Sequence, residues 1–445
     1  MSLKKFVPTC AALLIGGVAL YLAWNIQTPL LAGPRTFLYR AVPIAAVFFF
    51  FLRRSMRGER IFSPGSRMGW VLILLVLAAG LVFYKRLDFL LLRERVLSYP
   101  PEKIRRWGEF FMVGYRDREE LRDLIRRGAV GGFYVTRRNI RGKTRAQFRR
   151  EIDSLQSARP SGSPPLLVAA DQEGGPVNHL APLAPARPHL KTLLQDSKND
   201  ALLARRVRAY ARAQARDLRR LGVNTNLAPV ADLSRFASDD SRIARRAISF
   251  RPERSGFVLG EYARALEGAG LFAAVKHFPG LGRARRDTHY AARVVISASL
   301  AEMEKRDWLP FRAALGGGAS LLMLGHAIFP ALDEKRPVSY SRSAVAYIRR
   351  EIDADAVLIT DDFGMAPVAR GPDGLGEAAV LALQAGVDLI LLSYDPELYY
   401  RALDAVLQAE DKGRLRARDS AASRTRLRRL RARLLPRSSG RRVGP

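Results

Sequence analysis

Cysteine is almost absent from this sequence: the one residue, Cys10, sits in an apolar run and has no partner, which excludes an internal disulfide framework and leaves the redox compartment open. Acidic residues are also scarce, 42 against 74 lysines and arginines, giving a formal charge of +32. A glycine-rich phosphate loop does not follow the first strand-like run, which argues against a dinucleotide-binding sheet. A pair of histidines one residue apart is likewise missing from that run, "FFMVGY", and with it the usual cue for a metal-dependent barrel. Disorder is not the default, because 48% hydrophobic residues over 445 positions suffice for a sizeable core.

What is present begins with charge. A surplus this large raises the possibility of a nucleic-acid partner. The excess is arginine spread over every helix, however, with no basic stripe interleaved with aromatics, so contact with acidic lipid or cell-wall polymer is the simpler expectation and no nucleic acid is expected. The densest cluster, "SRTRLRRLRARLLPRSSGRR" within residues 413–445, reads as a basic C-terminal helix and tail associated with a surface or with lipid.

Residues 1–84 read as a membrane region, with helices expected at about 6–26, 36–52 and 69–84. "FVPTCAALLIGGVALYLAWNI" is long enough to cross a bilayer, follows Lys4 and Lys5, and lacks a small-residue cleavage site, so an anchor is expected in place of a removed signal peptide. The middle segment carries Arg40 near one end, from where it can snorkel. Five arginines in the loop Arg53–Arg67 place that loop and the N-terminus in the cytoplasm. Three spans then put the rest of the chain on the outer, periplasmic side of the inner membrane; with two, the side reverses. Residues 85–99 are expected to be a linker.

From residue 100 to 412, short apolar runs alternate with amphipathic helices. The runs are 110–115, 131–136, 166–171, 224–230, 272–277, 321–326, 357–360 and 388–393. Between two of them Leu203, Val207, Tyr210, Leu218 and Leu221 recur at helical spacing. Continuous apolar strands, as opposed to alternating ones, are what a parallel sheet covered on both faces requires. Eight such strands with intervening helices predict an α/β fold, a single (β/α)₈ TIM-type barrel.

The unusual polar residues gather at the C-terminal ends of these strands: Asp171 after the third, Lys276 and His277 on the fifth, His326 on the sixth, Asp361 and Asp362 on the seventh. A lone carboxylate there is as easily a cap, and for Asp362 taken alone the two readings weigh equally; several loaded strand ends together suggest a barrel mouth built for chemistry. Asp361 stands where a nucleophile would, and Asp287 lies two residues before His289, close enough to fix its tautomer and raise its basicity. A carboxylate nucleophile, a separate proton donor and a collar of hydroxyl-binding groups are the parts of a retaining glycosidase. The rival arrangement makes His277, His289, His326 and Asp361 metal ligands in a barrel hydrolase. His179 and His189, in a proline-rich loop, are expected to be surface or packing residues.

The motifs "DQEGGPV", "LAPVADL", "KHFPGLG" with "DTH", "LLMLGHAIFPALD" with "PVSYS", and "ITDDFGM" resemble, in order and spacing, those of family-3 glycoside hydrolases, and within them the bacterial β-N-acetylglucosaminidases. The resemblance covers roughly residues 100–410. It implies Asp361 as the nucleophile, His289 held by Asp287 as the acid/base, and Asp171, Lys276, His277 and Arg246 as sugar-binding residues, with Arg245 competing for the last place. It implies a terminal β-linked N-acetylglucosamine as substrate, from peptidoglycan-derived glycans, and no cofactor or metal. Relatives that use a carboxylate acid/base take it from a second domain; here only a short basic helix is expected after the barrel, which leaves the "DTH" loop as the proton donor.

Three positions depart from the family pattern: Leu281 where a histidine is usual, and Pro176 and His179 where arginines are. The bond-making positions are all kept, so an active enzyme is expected over an inactive glycan-binding scaffold, with Leu281 altering the packing of the loop. Transfer to phosphate in place of water stays open at this stage.

Overall fold

The structure, a computed structural model, describes residues 3–55, 67–195, 199–235 and 242–435. Two compact units divide the chain, Met1–Ser98 and Tyr99–Pro445.

The first unit contains helices α1 (Leu3–Asn25), α2 (Arg35–Ser55) and α3 (Arg67–Ser98). Ala23, Ile26, Leu38, Val42, Ala78 and Val82 pack between them, and Ala46, Val71 and Leu75 form a second contact. The larger apolar side chains instead face outward: Trp24 is 68% exposed, Phe37 70% and Phe83 67%. Alanines and aliphatic residues inside with large aromatics outside is the reverse of a water-soluble bundle. Arg35 is buried and satisfies carbonyls at the end of α1, donating to Ile26 O (2.8 Å) and Thr28 O (3.1 Å). By length and composition the windows Arg35–Leu52 and Trp70–Ser98 can cross a bilayer, while Leu14–Asn25 is a shorter apolar stretch.

The expected linker 85–99 is helix almost to its end. Leu87, Phe89, Leu92 and Val96 keep an apolar stripe running, and no glycine or proline interrupts it before Pro100. Most of the arginine-rich loop, 56–66, lies outside the described residues.

The second unit is a closed barrel. Its strands are β1 (Phe111–Gly114), β2 (Gly132–Tyr134), β3 (Leu167–Ala170), β6 (Thr225–Asn226), β7 (Phe272–Phe278), β8 (Leu321–Leu324), β9 (Val357–Asp362) and β10 (Leu389–Leu392), ordered β1-β10-β9-β8-β7-β6-β3-β2. Every pair is parallel. A small antiparallel hairpin, β4 (Gln172–Gly174) with β5 (Val177–Asn178), rises from the end of β3 and is not part of the barrel wall. All eight runs became barrel strands, because in a sheet covered by helices both faces are buried, and the polar Thr225 and Asn226 of β6 are buried as well, Asn226 with hydrogen-bond partners.

The sixth strand is the shortest. Pro229 has no N–H to give to a ladder, yet carbonyls keep the pairing alive: Ala274 N donates to Ala228 O (3.0 Å) and Lys276 N to Pro229 O (3.0 Å). That carries β7 up to the mouth with Lys276 and His277 at its end.

The basic helix Ala421–Ala432 folds against the N-terminal face of the barrel, with Leu427 and Leu430 buried. Arg426 pairs with Asp388 just before β10 (2.9 Å), Arg433 with Glu267 (2.7 Å), and Arg424 with Glu109 just before β1. Three arginines of this segment are thus neutralised inside the unit, and of the expected tail 436–445 fall outside the described residues.

Candidate active site

The strand ends of β2, β3, β7, β8 and β9 converge on one mouth, as the sequence suggested, and carry a linked set of charged groups. At the end of β2, the Tyr134 hydroxyl donates to Asp171 Oδ2 (2.6 Å) and lies 2.9 Å from His179 Nδ1. His179, expected at the surface or in packing, is therefore tied to the site's edge. Lys276 Nζ pairs with Asp171 Oδ1 and with Glu173 Oε1 (2.6 Å). Glu173 also takes a two-pronged bond from Arg246, Nε to Oε2 (2.9 Å) and Nη2 to Oε1 (2.6 Å). Two cations thus face two carboxylates in a largely buried cluster, which is the condition for charge to survive there.

The electrostatics follow from that pairing. Burial acts to raise the Glu173 and Asp171 carboxyls, but Arg246 and Lys276 outweigh it for Glu173, and Lys276 and His179 for Asp171, so both lie below the ordinary range. Burial likewise acts to lower Lys276, and the two carboxylates hold it above its usual value.

Arg246 continues the chain of contacts to His277, its Nη2 standing 3.4 Å from Nε2. The competing Arg245 is exposed and does not line the cavity described below. His277 Nδ1 meets Asp232 Oδ2 at 2.6 Å, and Leu281 N donates to the other oxygen of the same carboxylate at 2.6 Å. Asp232 thereby fixes both the imidazole and the start of the loop. His189, buried, meets the Arg246 carbonyl through Nε2 (2.8 Å), a packing role; burial lowers its pKa.

On β8, His326 Nδ1 meets Ser339 Oγ (2.8 Å) and Nε2 meets the Asp362 carbonyl (3.0 Å). Burial lowers its pKa against the pull of Asp361, and the ring acts as a brace beneath Asp361 and Asp362. The two aspartates diverge. Asp362 turns inward, accepting from Gly364 N (2.7 Å) and Tyr394 N (2.9 Å), and burial raises its carboxyl; it is a turn cap. Asp361 faces the cavity. Burial acts to raise it, but the imidazoles of His277 and His326 and the Asp362 N–H (2.8 Å) hold it below the ordinary carboxylate range.

Across the cavity stands the loop after β7. His289 Nδ1 lies 2.7 Å from Asp287 Oδ1, whose same oxygen accepts the His289 N–H at 2.8 Å. Arg242 Nε pairs with the second oxygen at 3.0 Å. Burial acts to raise Asp287, and the His289 bonds and Arg242 bring it below its usual value. The His289 side chain is 46% exposed, and its Nε2 has no partner among the described residues.

A cavity of 270 Å³ is walled by Arg246, His277, Leu281, Asp287, His289 and Asp361, among others. Asp171 and Lys276 do not line it; they reach it through Glu173 and Arg246. Leu281 is buried and supplies an apolar wall, its methyl near Gly325. Pro176 is exposed at the β4–β5 turn. A second cleft of 830 Å³ lies behind the loop, lined by Arg235, Arg283, Arg293 and Arg306, and shares Arg285 and Arg286 with the first. Among the described residues, no group of three or more His, Cys, Asp or Glu side chains is arranged to hold a metal ion.

Sequence reasoning passed over Glu173, Asp232, Tyr134 and Arg242. Glu173 and Asp232 stood inside recognised motifs, but their partners lie 73 and 45 residues away.

Comparison with known proteins completes the picture. Residues 103–430 match the description "Glycosyl hydrolase family 3 N terminal domain". The chain is 32% identical over 291 residues to a beta-hexosaminidase of Xanthomonas axonopodis pv. citri, covering 64% of this chain and 82% of that one. It is 34% identical over 280 residues to a beta-hexosaminidase of Pseudomonas aeruginosa, covering 62% and 79%. Among solved structures, a family 3 beta-N-acetylglucosaminidase from Paenibacillus superposes with a TM-score of 0.67 at 30% identity, over 77% of this chain and 65% of that longer one, just under two thirds of its length. A barrel whose mouth is loaded at these strand ends, and a family match that spans it from the helix before β1 to the helix beneath it, have one reading: the chain belongs to glycosyl hydrolase family 3 and is a glycosidase.

Proposed function

We propose that the protein removes terminal β-linked N-acetylglucosamine with retention of configuration. The observation that carries this reading is that Asp361, held ionised, and the Asp287–His289 pair face the same small cavity. In the first step an Asp361 oxygen bonds to the anomeric carbon while the glycosidic C–O bond breaks, and His289 Nε2–H gives its proton to the leaving oxygen. In the second, His289 takes a proton from water, whose oxygen displaces Asp361 from the anomeric carbon. Asp287 fixes the His289 tautomer, with Nδ1–H on the carboxylate and Nε2 toward the substrate.

Arg246 and His277 are the sugar-binding groups at the cavity wall, and Asp171 and Lys276 act on the sugar through the cluster that positions Arg246. The beta-hexosaminidase names of the relatives support N-acetylglucosamine as the sugar. The arginine-lined cleft behind the loop suits acidic substituents on the departing part, which supports peptidoglycan-derived glycans as the source.

The outward-facing aromatics of α1–α3 support a multi-pass anchor in the inner membrane, and with α1 as a third span beside those of α2 and α3, Lys4, Lys5 and Arg53–Arg67 support a cytoplasmic N-terminus with the barrel on the periplasmic side. A reporter fused after Ser98 reads the side directly.

The decisive assay compares aryl β-N-acetylglucosaminide with aryl β-glucoside. Turnover of the first and not the second is expected, and Asp361→Ala is expected to abolish it without changing the unfolding temperature. Full activity in Asp361→Ala would overturn the assignment.

A further inference from the structure

The face of the barrel opposite the sugar site holds a second concentration of unbalanced charge. A cavity of 430 Å³ opens there between the helix Pro101–Gly108, the turn around Pro160–Pro164 and the helix Ala421–Ala432. Six arginines line it, and Glu109 is its one carboxylate.

Two of the six are neutralised: Arg424 pairs with Glu109, and Arg106 with Glu410. The other four meet no carboxylate among the described residues. Arg431 is buried and held by backbone carbonyls alone, donating to Pro165 O (2.8 Å) and Pro164 O (2.9 Å). Arg159 bonds only to Gln156, and its Nε is buried without a partner. Arg105 and Arg428 are exposed at the rim and make no hydrogen bond or ion pair among the described residues.

Like charges directed into one cavity repel, and a buried guanidinium without a carboxylate is costly. The cost is visible at Arg431: burial pushes its pKa down to about 10 against the pull of Glu109, and Arg159 and Arg428 push the same way as burial. A multiply charged anion removes the penalty at one stroke. The planar fork of arginine suits phosphate oxygens in particular, and the unpaired Arg159 Nε offers a donor already inside.

We propose that this cavity is a binding site for a phosphate group, borne either by a small soluble phosphate or by a lipid headgroup, with Arg105, Arg159, Arg428 and Arg431 as its ligands. The site is separate from the glycosidase chemistry, so it stands or falls independently of the sugar reading.

The test uses the full-length protein in detergent and reads the unfolding temperature. Inorganic phosphate is compared with sodium chloride at equal ionic strength, and phosphatidylglycerol nanodiscs with phosphatidylcholine ones. Phosphate or phosphatidylglycerol is expected to raise the unfolding temperature by about 3 °C at saturation, as mass action requires of a ligand that binds only the folded state. A response to phosphate marks a soluble ligand and a response to phosphatidylglycerol alone marks a headgroup; either supports the site.

The paired variant Arg105→Gln/Arg428→Gln, at two exposed side chains, is expected to lose the response while unfolding no lower than the parent in phosphate-free buffer, because repulsion is relieved. The proposal is overturned if neither anion source shifts the parent beyond chloride or phosphatidylcholine. It is overturned equally if the variant responds as the parent does, or unfolds lower without anion.

Discussion

Replacing Glu173 by glutamine changes one atom and one charge in a cluster where the count is exact: Lys276 and Arg246 against Asp171 and Glu173. The amide keeps the shape but leaves two cations facing one carboxylate, with Lys276 and Glu173 each only 3% exposed in their side chains. Breaking a buried pair by neutralising one partner costs about 3–5 kcal/mol, because the surviving charge stays desolvated. The same change loosens Arg246, whose Nη2 stands 3.4 Å from His277 Nε2 at the cavity wall. Glu173→Gln is therefore expected to lower the unfolding temperature by several degrees and to raise KM for an aryl β-N-acetylglucosaminide about tenfold, with a smaller loss in kcat. Adding Lys276→Met restores one cation against one carboxylate and is expected to recover stability, with a coupling of about 1–3 kcal/mol between the two sites. Thermal unfolding of both variants and steady-state kinetics of the single one decide the matter. A Glu173→Gln protein that unfolds within 1 °C of the parent (about the resolution of the method), or a double variant less stable than either single one, refutes the charge-balance reasoning.

Asp287→Asn removes the charge that orients His289 and is expected to cut kcat about a hundredfold, while binding of N-acetylglucosamine, read by protection against heating, persists. At Leu281 the backbone N–H, not the side chain, holds Asp232, so Leu281→His is expected to keep kcat within about threefold, and Leu281→Pro, which deletes that donor, to abolish turnover. The cluster also sets an acid limit. Asp171 and Glu173 have depressed pKa values in the fold, so their stabilisation is complete above their unfolded values near 4 and is lost as pH falls through the folded ones. Unfolding temperature against pH is expected to drop steeply only below about pH 4, and Glu173→Gln to flatten that drop.

The barrel was legible because a strand buried on both faces leaves a run of apolar residues that no surface helix imitates, and several of the runs ended on a polar group at the mouth. The sequence pointed to Asp361 at such an end and to Asp287 and His289 two residues apart in one loop, and these three line the same cavity. Glu173 and Asp232 were not, since a carboxylate that positions another side chain has its meaning in a contact tens of residues away. Asp362 shows the converse: adjacent to Asp361 and identical in type, it is separated from it only by the direction of the backbone. The expected linker over 85–99 is helical through Ser98, because Phe89, Leu92 and Val96 continue the apolar stripe of α3 past Lys85, Arg86 and Asp88. Composition does not show that three of the C-terminal arginines meet carboxylates next to strand starts.

That last helix also sets an order of events. Glu109, Glu267 and Asp388 are made early, midway and late in synthesis, and each draws a cation from a helix that emerges after all of them. Until that helix emerges, a growing chain has all eight strands but not the counter-charges of its underside, and a chain cut short of Ala421 carries a full set of strands without the cations that lock them.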